Sequence, residues 1–336
     1  MNAVDPPRDG GSQTQRSRRR AVSGRLITST GARGTAAGLC VLVVYLHHYY
    51  YLLLNPTIND RALITRYQEI AAGTDRAPDQ YRLLIPSTAA VITRMTTLPL
   101  HVVVVLIDSV SLLGGAVLLA WLLCRRGLES QILPALLYVG AVAVTALLFP
   151  RPETLPGFLG ATCVLTAYLH PGRGEAVLGV AGAVLLVGCR PEMAAAAALA
   201  FVLQGWRERR SLQSVGGAVL AGLGALGTLI PICLHPRTPY MTNLVQVEHN
   251  LDPRNQLVLA ATLAPVLVYL TRNRAARWAP LLTWVGAAVG LTFVVGRVDE
   301  VRIFFPLAGV LAYVAADLWA DASEDQSAPH LARAQV

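Results

Sequence analysis

Long apolar runs alternate with short polar turns along most of this chain. A helix rises about 1.5 Å per residue, so about 20 apolar residues cross the ~30 Å hydrocarbon core of a bilayer. Counting the runs on this basis predicts about ten membrane-spanning helices. They fall at residues 35–54, 99–124, 131–149, 155–169 and 176–189, in a run that ends at 206, and at 215–234, 257–271, 280–296 and 303–319. The pattern therefore predicts an all-α multi-pass membrane protein.

Composition excludes a soluble globular protein. Hydrophobic residues make up 54% of the 336-residue chain, charged residues make up 14%, and the mean hydropathy is +0.49. Soluble domains carry roughly 25% charged residues. The net charge of +8 lies largely in the N-terminal tail and in turns, where arginines set membrane orientation. We therefore expect these basic residues to contact membrane lipid and not nucleic acid.

Arginines also mark the predicted cytoplasmic side. Residues 1–35 are rich in Gly, Ser and Arg, and we interpret them as a disordered basic tail in the cytoplasm. Alternate turns, beginning with Arg125 and Arg126, carry Arg with few acids, which predicts that both termini are cytoplasmic and that the membrane is the plasma membrane. The transmembrane domain then covers residues 36–320, with a first outer loop at 55–99, a second outer loop at 235–256, and a cytoplasmic tail at 321–336.

The first outer loop is the most polar stretch between apolar runs, and it predicts two amphipathic helices. The first covers residues 59–72 and ends before Gly73; the second begins at Gln80-Tyr81-Arg82 and reaches Arg94. The apolar face of the first helix carries Leu63, Ile64, Tyr67 and Ile70. Helices of this kind lie in the interface plane of a membrane.

The tripeptide Arg-Pro-Glu occurs twice, at 151–153 and at 190–192, each time before a helix that runs inward. Pro and Glu suit a helix N-terminus, whereas the charge of Arg does not. The fifth and sixth spans have only about 14–16 residues, or ~21–24 Å, which predicts that their outer ends lie below the membrane surface. Charges below the membrane surface either pair with one another or line a cavity, and both interpretations remain open.

Further charges on the same side precede the last span, where Glu300 and Arg302 lie. Arginines from several outer turns suit a phosphate or pyrophosphate, because the planar guanidinium binds oxyanions through two parallel hydrogen bonds. Asp108 is the one acid well inside a predicted span, and we expect it to serve helix packing.

Taken together, these features resemble the GT-C superfamily of polytopic glycosyltransferases. A single span leads to a large first outer loop with Asp60, Asp75 and Asp79; short hairpins with Arg-Pro-Glu follow; and residues 298–307 look like the acid-Arg-aromatic-Pro turn before a late helix. The piece Gln80-Tyr81-Arg82-x-Leu-x-Pro86 is similar to one in bacterial polytopic membrane proteins of unassigned function. The resemblance covers about residues 36–320.

The resemblance implies transfer of a sugar from a polyprenyl-phosphate donor to a glycan, lipid or protein acceptor at the extracytoplasmic face. An acid of the first outer loop would deprotonate the acceptor hydroxyl, and arginines would hold the donor phosphate as it leaves. Asp60 matches the general base best, and Asp79 is second. The residues expected to line the substrate and phosphate site are Gln80, Tyr81, Arg82, Arg151, Glu153, Arg190, Glu192, Glu300 and Arg302.

The chain departs from the family pattern in two respects. The first outer loop has no Asp-x-Asp or Asp-Glu pair, which argues against a tightly held metal; we expect no cofactor, and a divalent metal stays open without being indicated. A soluble outer domain at the C-terminus is also missing. Two alternative functions remain: a transporter or flippase for an anionic lipid or solute, and a non-catalytic membrane protein. Polar residues concentrated in outer turns favour the enzyme, since a transport path carries polar residues along its spans.

Overall fold

The computed structural model of the chain describes residues 63–75, 82–148, 151–209, 211–234, 246–264, 267, 275–295 and 301–333. All of the regular elements within these ranges are helical, which confirms the all-α prediction for this part of the chain. The predicted tail at 1–35, the first predicted span, Asp60, Asp79, Gln80, Tyr81 and Glu300 lie outside the described residues. For Arg302 the structure describes the backbone alone.

The first two described helices are α1 (Leu63–Ala72) and α2 (Leu84–Thr96), and both fall in the predicted first outer loop. Helix α1 buries Leu63, Tyr67 and Ile70 on one face, as its apolar spacing predicts. It ends at Gly73, whose φ of +76° is favourable for glycine. The Gly73 and Thr74 amides donate to the carbonyl groups of Ile70 and Glu69, so the last carbonyls of the helix are satisfied.

Helical hairpins make up most of the remaining structure. These helices are α3 (Leu100–Arg125), α4 (Ile132–Leu148), α5 (Thr154–Leu169), α6 (Arg173–Cys189), α7 (Pro191–Arg207) and α8 (Ser211–Leu234). They are followed by α9 (Val247–Asn250), α10 (Pro253–Thr262), α11 (Ala275–Val295), a 3₁₀ turn (Val301–Leu307) and α12 (Ala308–Arg333). Helix α12 continues through most of the stretch that the sequence predicts to be a tail.

Three segments of the described chain are long and apolar enough to cross a membrane: Leu100–Arg125, Gln213–Leu234 and Ile303–Ala320. Three shorter apolar helices cover Glu129–Ala143, Thr154–Leu169 and Ala279–Val294. An α-helical protein with such segments is a membrane-associated protein.

Helix α5 lies at the centre of the fold and is buried over nearly its whole length. Its packing against α6 depends on two glycines. A Cβ on Gly182 would lie 2.7 Å from the Gly160 carbonyl oxygen, and a Cβ on Gly160 would lie 2.9 Å from the Leu186 amide nitrogen. The two backbones therefore approach as closely as small residues permit, which is typical of helix pairs in membranes.

Helices α3, α5, α7 and α12 run in the same direction. The contacts between α3 and α5 advance toward the C-termini of both helices, from Gly115 beside Phe158 to Trp121 beside His170. Arg126, at the end of α3, donates to the hydroxyl of Tyr313 in α12. We call the end of the bundle where α5 and α7 begin the Glu153 end. The opposite end, where α3, α5 and α7 terminate, is the Arg125 end.

Candidate functional site

Charged side chains from three separate turns meet at the Glu153 end. Glu153 directly precedes α5, Arg190 and Glu192 flank the proline that begins α7, and Arg82 lies two residues before α2. Proline at the first position of α7 is favourable because its missing N–H would have no helical partner there. The sequence-predicted Arg82, Glu153, Arg190 and Glu192 therefore belong to one cluster.

Glu153 is the centre of this cluster. Its Oε1 atom accepts a hydrogen bond from Nη1 of Arg82 and lies 3.7 Å from Nη2 of Arg190. Nη1 of Arg190 donates to Oε1 of Glu192 at 3.0 Å. The side chains of Glu153 and Arg190 are only 2% and 4% exposed, whereas that of Arg82 is 15% exposed. The sequence left open whether these charges pair with one another or line a cavity. Glu153 and Arg190 pair with one another.

The charges around Glu153 keep it ionised. Burial by itself would raise the pKa of this carboxyl group, but the guanidinium groups of Arg82, Arg190 and Arg151 and a backbone hydrogen bond together outweigh burial and lower the pKa to about 2. A carboxylate with so low a pKa is a poor proton acceptor at neutral pH. Glu153 is therefore suited to orienting the two arginines and not to general-base chemistry.

The cluster lies beside the first half of α3. Cys189, the residue before Arg190, belongs to one buried apolar group with residues 103–105, and Gly115 lies beside Phe158 in α5. That these charges lie below a membrane surface, as the short spans predict, stays a prediction.

Helices α1 and α2 pack on the first turns of α3 beside this cluster. Tyr67 and Ile85 belong to one buried apolar group with residues 103–105 and Cys189, the residue before Arg190. Leu84 lies against Gly188, so the start of α2 reaches down to the end of α6. This contact brings Arg82 to the level of Glu153.

Some polar atoms in this region lack a hydrogen-bond partner among the described residues. They are the Tyr67 hydroxyl, the Thr154 hydroxyl and Nε of Arg190, all of them in side chains that are almost fully buried. Burial, followed by the nearby charge of Asp108, raises the pKa of Tyr67, so its hydroxyl stays protonated and able to donate. Buried donors of this kind are usually satisfied by protein, water or ligand oxygens.

The 3₁₀ turn before α12 reaches the same end of the bundle. A Cβ on Gly157 would lie 3.2 Å from Cγ of Pro306 and 3.8 Å from Cγ of Arg190, so glycine lets the turn and Arg190 meet over α5. This contact brings the backbone of the turn that contains Arg302 beside the cluster. Arg151 is close enough to lower the pKa of Glu153.

Sequence reasoning named two further residues, Tyr67 and Asp108, but did not assign them to this region. Tyr67 appears in the sequence only as one residue of an apolar helical face, and the role of its hydroxyl becomes visible only through its burial. Asp108 is buried and acts electrostatically on both Tyr67 and Cys189. The signal for Asp108 was its isolation as an acid within an apolar run.

Within the described ranges, no three His, Cys, Asp or Glu side chains are close enough together to hold a metal ion. Comparisons with protein-family models, with curated proteins and with solved structures found no match to this chain.

Proposed function

We propose that this protein is a plasma-membrane glycosyltransferase of the GT-C kind, with about ten spans, interfacial helices in its first outer loop and both termini in the cytoplasm. It transfers a sugar from a polyprenyl-phosphate donor to a glycan, lipid or protein acceptor at the extracytoplasmic face. The observation that supports this most is the convergence of Arg82, Arg151 and Arg190 around one buried carboxylate beside α1 and α2.

In this proposal the arginines hold the phosphate of the donor. Arg190 faces Glu153 through Nη2 and donates to Glu192 through Nη1, which leaves its Nε unpartnered among the described residues. In the proposal, this Nε donates to an oxygen of the phosphate, which gains charge as the sugar departs. The position below the membrane surface that the short spans predict suits a donor whose phosphate lies at headgroup depth while its polyprenyl chain remains in the bilayer.

The general base is a different carboxylate from Glu153, because Glu153 is held ionised by its arginines. The proposal assigns this role to Asp60, with Asp79 as the second candidate. Both belong to the first outer loop, of which α1 and α2 are the described helices.

The proposal is tested by incubating the purified protein in nanodiscs with a panel of polyprenyl-phosphate sugars and measuring transfer to acceptors or hydrolysis. Asp60→Asn should lower turnover by about 10²–10⁴-fold if Asp60 is the base, and Asp79→Asn serves as the comparison. Arg190→Lys should weaken donor binding, whereas Arg94→Lys, at the far end of α2, should not. Unchanged turnover in both Asn variants would remove the catalytic assignment.

One observation favours a second function. Glu153 and Arg190 are nearly buried and paired with each other, which also suits a gate that opens when an anionic lipid or solute competes for Arg190. Two results together would show a transporter or flippase and not an enzyme. No donor would support transfer, and the protein would move an anionic lipid across the membrane of proteoliposomes in a way that Arg190→Lys abolishes.

A further inference from the structure

The Arg125 end of the bundle carries an aromatic and basic cluster that the proposed function does not use. Trp121 and Arg125 are four residues apart on α3 and so share one face. The guanidinium of Arg125 lies over the Trp121 ring, 4.6 Å from its centroid. The Trp121 ring in turn meets the ring of His170, at the end of α5, edge to face at 5.8 Å.

Stacking fixes the orientation of the Arg125 guanidinium and leaves its edge open. A guanidinium placed on an aromatic face keeps its in-plane N–H groups free to bind a phosphate through two hydrogen bonds. The Arg125 side chain is 53% exposed, and its ion pair with Glu175 is long, at 4.0 Å. An exposed pair of this length contributes little energy and yields readily to a stronger anion.

A second guanidinium, that of Arg126, is held in place at the same end of α3 and, like Arg125, acts electrostatically on His170. Nε of Arg126 donates to the Tyr313 hydroxyl at 2.9 Å, which anchors the side chain against α12 while the residue remains exposed. Burial, together with the charges of Arg125 and Arg126, lowers the pKa of His170, so its ring is neutral at pH 7 and retains an N–H donor.

Exposed tryptophans indicate the depth of this cluster. Trp206, near the end of α7, is 76% exposed, and Trp319 on α12 is 71% exposed. Both helices run parallel to α3, so these rings lie toward the Arg125 end. Tryptophan is enriched where the bilayer meets water, at the level of lipid headgroups. An anion at this depth is more readily a lipid phosphate than a free ion in solution.

We propose that Trp121, Arg125, Arg126 and His170 form a binding site for the phosphate group of an anionic phospholipid. The site is separate from the Glu153 cluster and does not depend on the proposed glycosyltransferase activity. Glu175 occupies part of the site when lipid is absent, since its carboxylate faces Arg125. Lipid binding displaces that carboxylate and links the ends of α3, α5 and α12.

The test titrates the full-length protein in mixed micelles with phosphatidylglycerol and counts bound lipids by native mass spectrometry, with phosphatidylcholine as the uncharged comparison. Arg125→Gln keeps part of the stem over Trp121 but removes the charge, and it should weaken phosphatidylglycerol binding by about fivefold. Glu175→Gln should strengthen binding by about twofold, because it removes a competing anion. A thermal melt of each variant checks that it remains folded.

The matched control is Arg207→Gln, which removes the same charge at the same end of the bundle from α7, a helix that supplies no residue to the site. It should change binding by less than about twofold, because it leaves the stacked site intact. Equal weakening by Arg125→Gln and Arg207→Gln would overturn the site in favour of diffuse attraction to net charge. Binding of inorganic phosphate as tight as that of phosphatidylglycerol would overturn the assignment to lipid.

Discussion

The guanidinium of Arg82 donates a hydrogen bond to the carboxylate of Glu153, and so ties the segment before α2 to the start of α5 across 71 residues of chain. The same carboxylate oxygen faces Arg190 at 3.7 Å. A single acid therefore holds two arginines from different parts of the sequence. Its burial makes each of these charges costly to leave without its partner.

A double-mutant cycle measures the strength of this link. Arg82→Ala should lower the free energy of unfolding by about 3 kcal/mol, because it removes one of the charges that compensate the buried Glu153 carboxylate. Glu153→Ala should cost at least as much, since it leaves Arg190 buried with only Glu192 to face. The double variant should be less destabilised than the sum of the two single variants. Unfolding in mixed detergent–SDS micelles gives the three values.

The exposed pair Arg125 and Glu175 provides the control cycle. These side chains are 53% and 21% exposed and lie 4.0 Å apart, so their coupling should be below about 1 kcal/mol. If the two cycles gave equal coupling energies, burial would not be what makes the Arg82–Glu153 link strong.

Stability should also depend on pH through Glu153. The folded protein lowers the pKa of this carboxyl group from 4.5 to about 2, so the unfolded chain binds the proton more tightly. The stabilisation is present above about pH 5 and is lost as the pH falls from there to about 2; its full size is about 3 kcal/mol.

Chemical unfolding at a series of acidic pH values measures this loss. Glu153→Gln removes the titrating group and should flatten the dependence between pH 5 and pH 2, although the variant is less stable overall. An equally steep loss in wild type and in Glu153→Gln would assign the acid sensitivity to other carboxyl groups.

Close packing of α5 on α6 gives a further prediction. Alanine normally improves a helix relative to glycine by up to about 1 kcal/mol. At Gly182, however, the added methyl group would overlap Cys163 and lie 2.7 Å from the Gly160 carbonyl oxygen. Gly182→Ala should therefore destabilise the protein by about 2 kcal/mol through overpacking.

Gly290, in α11, has no atom within 4 Å of the position that a Cβ would take, among the residues that the structure describes. Gly290→Ala should therefore leave stability unchanged or raise it slightly. A loss of stability in Gly290→Ala equal to that in Gly182→Ala would show that helix crowding is not the cause.

Local patterns in the sequence predicted the helices well. The spacing of Leu63, Tyr67 and Ile70 identified the buried face of α1, and Gly73 identified its end, because both follow from helix geometry over a few residues. Helix ends were predicted less accurately where a helix continues into polar residues. Helix α12 reaches Arg333, well past the apolar residues that mark a span, through a polar sequence whose composition does not favour a helix.

The candidate site was predictable only in part. The Arg-Pro-Glu turns predicted charges at the beginnings of helices, and Glu153 and Arg190 each directly precede a helix. That Arg82 shares the same carboxylate depends on how the hairpins are arranged in space, which no local pattern specifies. The buried hydroxyl of Tyr67 was hidden for the same reason, since an apolar face predicts burial but not what surrounds it.

Replacing Tyr67 should have opposite effects on the stability of the ligand-free protein and on stabilisation by a bound ligand. Its hydroxyl is buried without a hydrogen-bond partner among the described residues, so Tyr67→Phe removes an unsatisfied group and should raise the free energy of unfolding of the ligand-free protein by about 1 kcal/mol. Tyr313→Phe is the matched change: its hydroxyl accepts from Arg126, so its loss should cost about 1.5 kcal/mol or more. Donor lipid should stabilise wild type more than Tyr67→Phe, because the hydroxyl can donate to an oxygen of a ligand held by Arg190. Thermal melts of both variants with and without a polyprenyl-phosphate sugar test this, and equal stabilisation of Tyr67→Phe and wild type by the lipid would place Tyr67 outside the site.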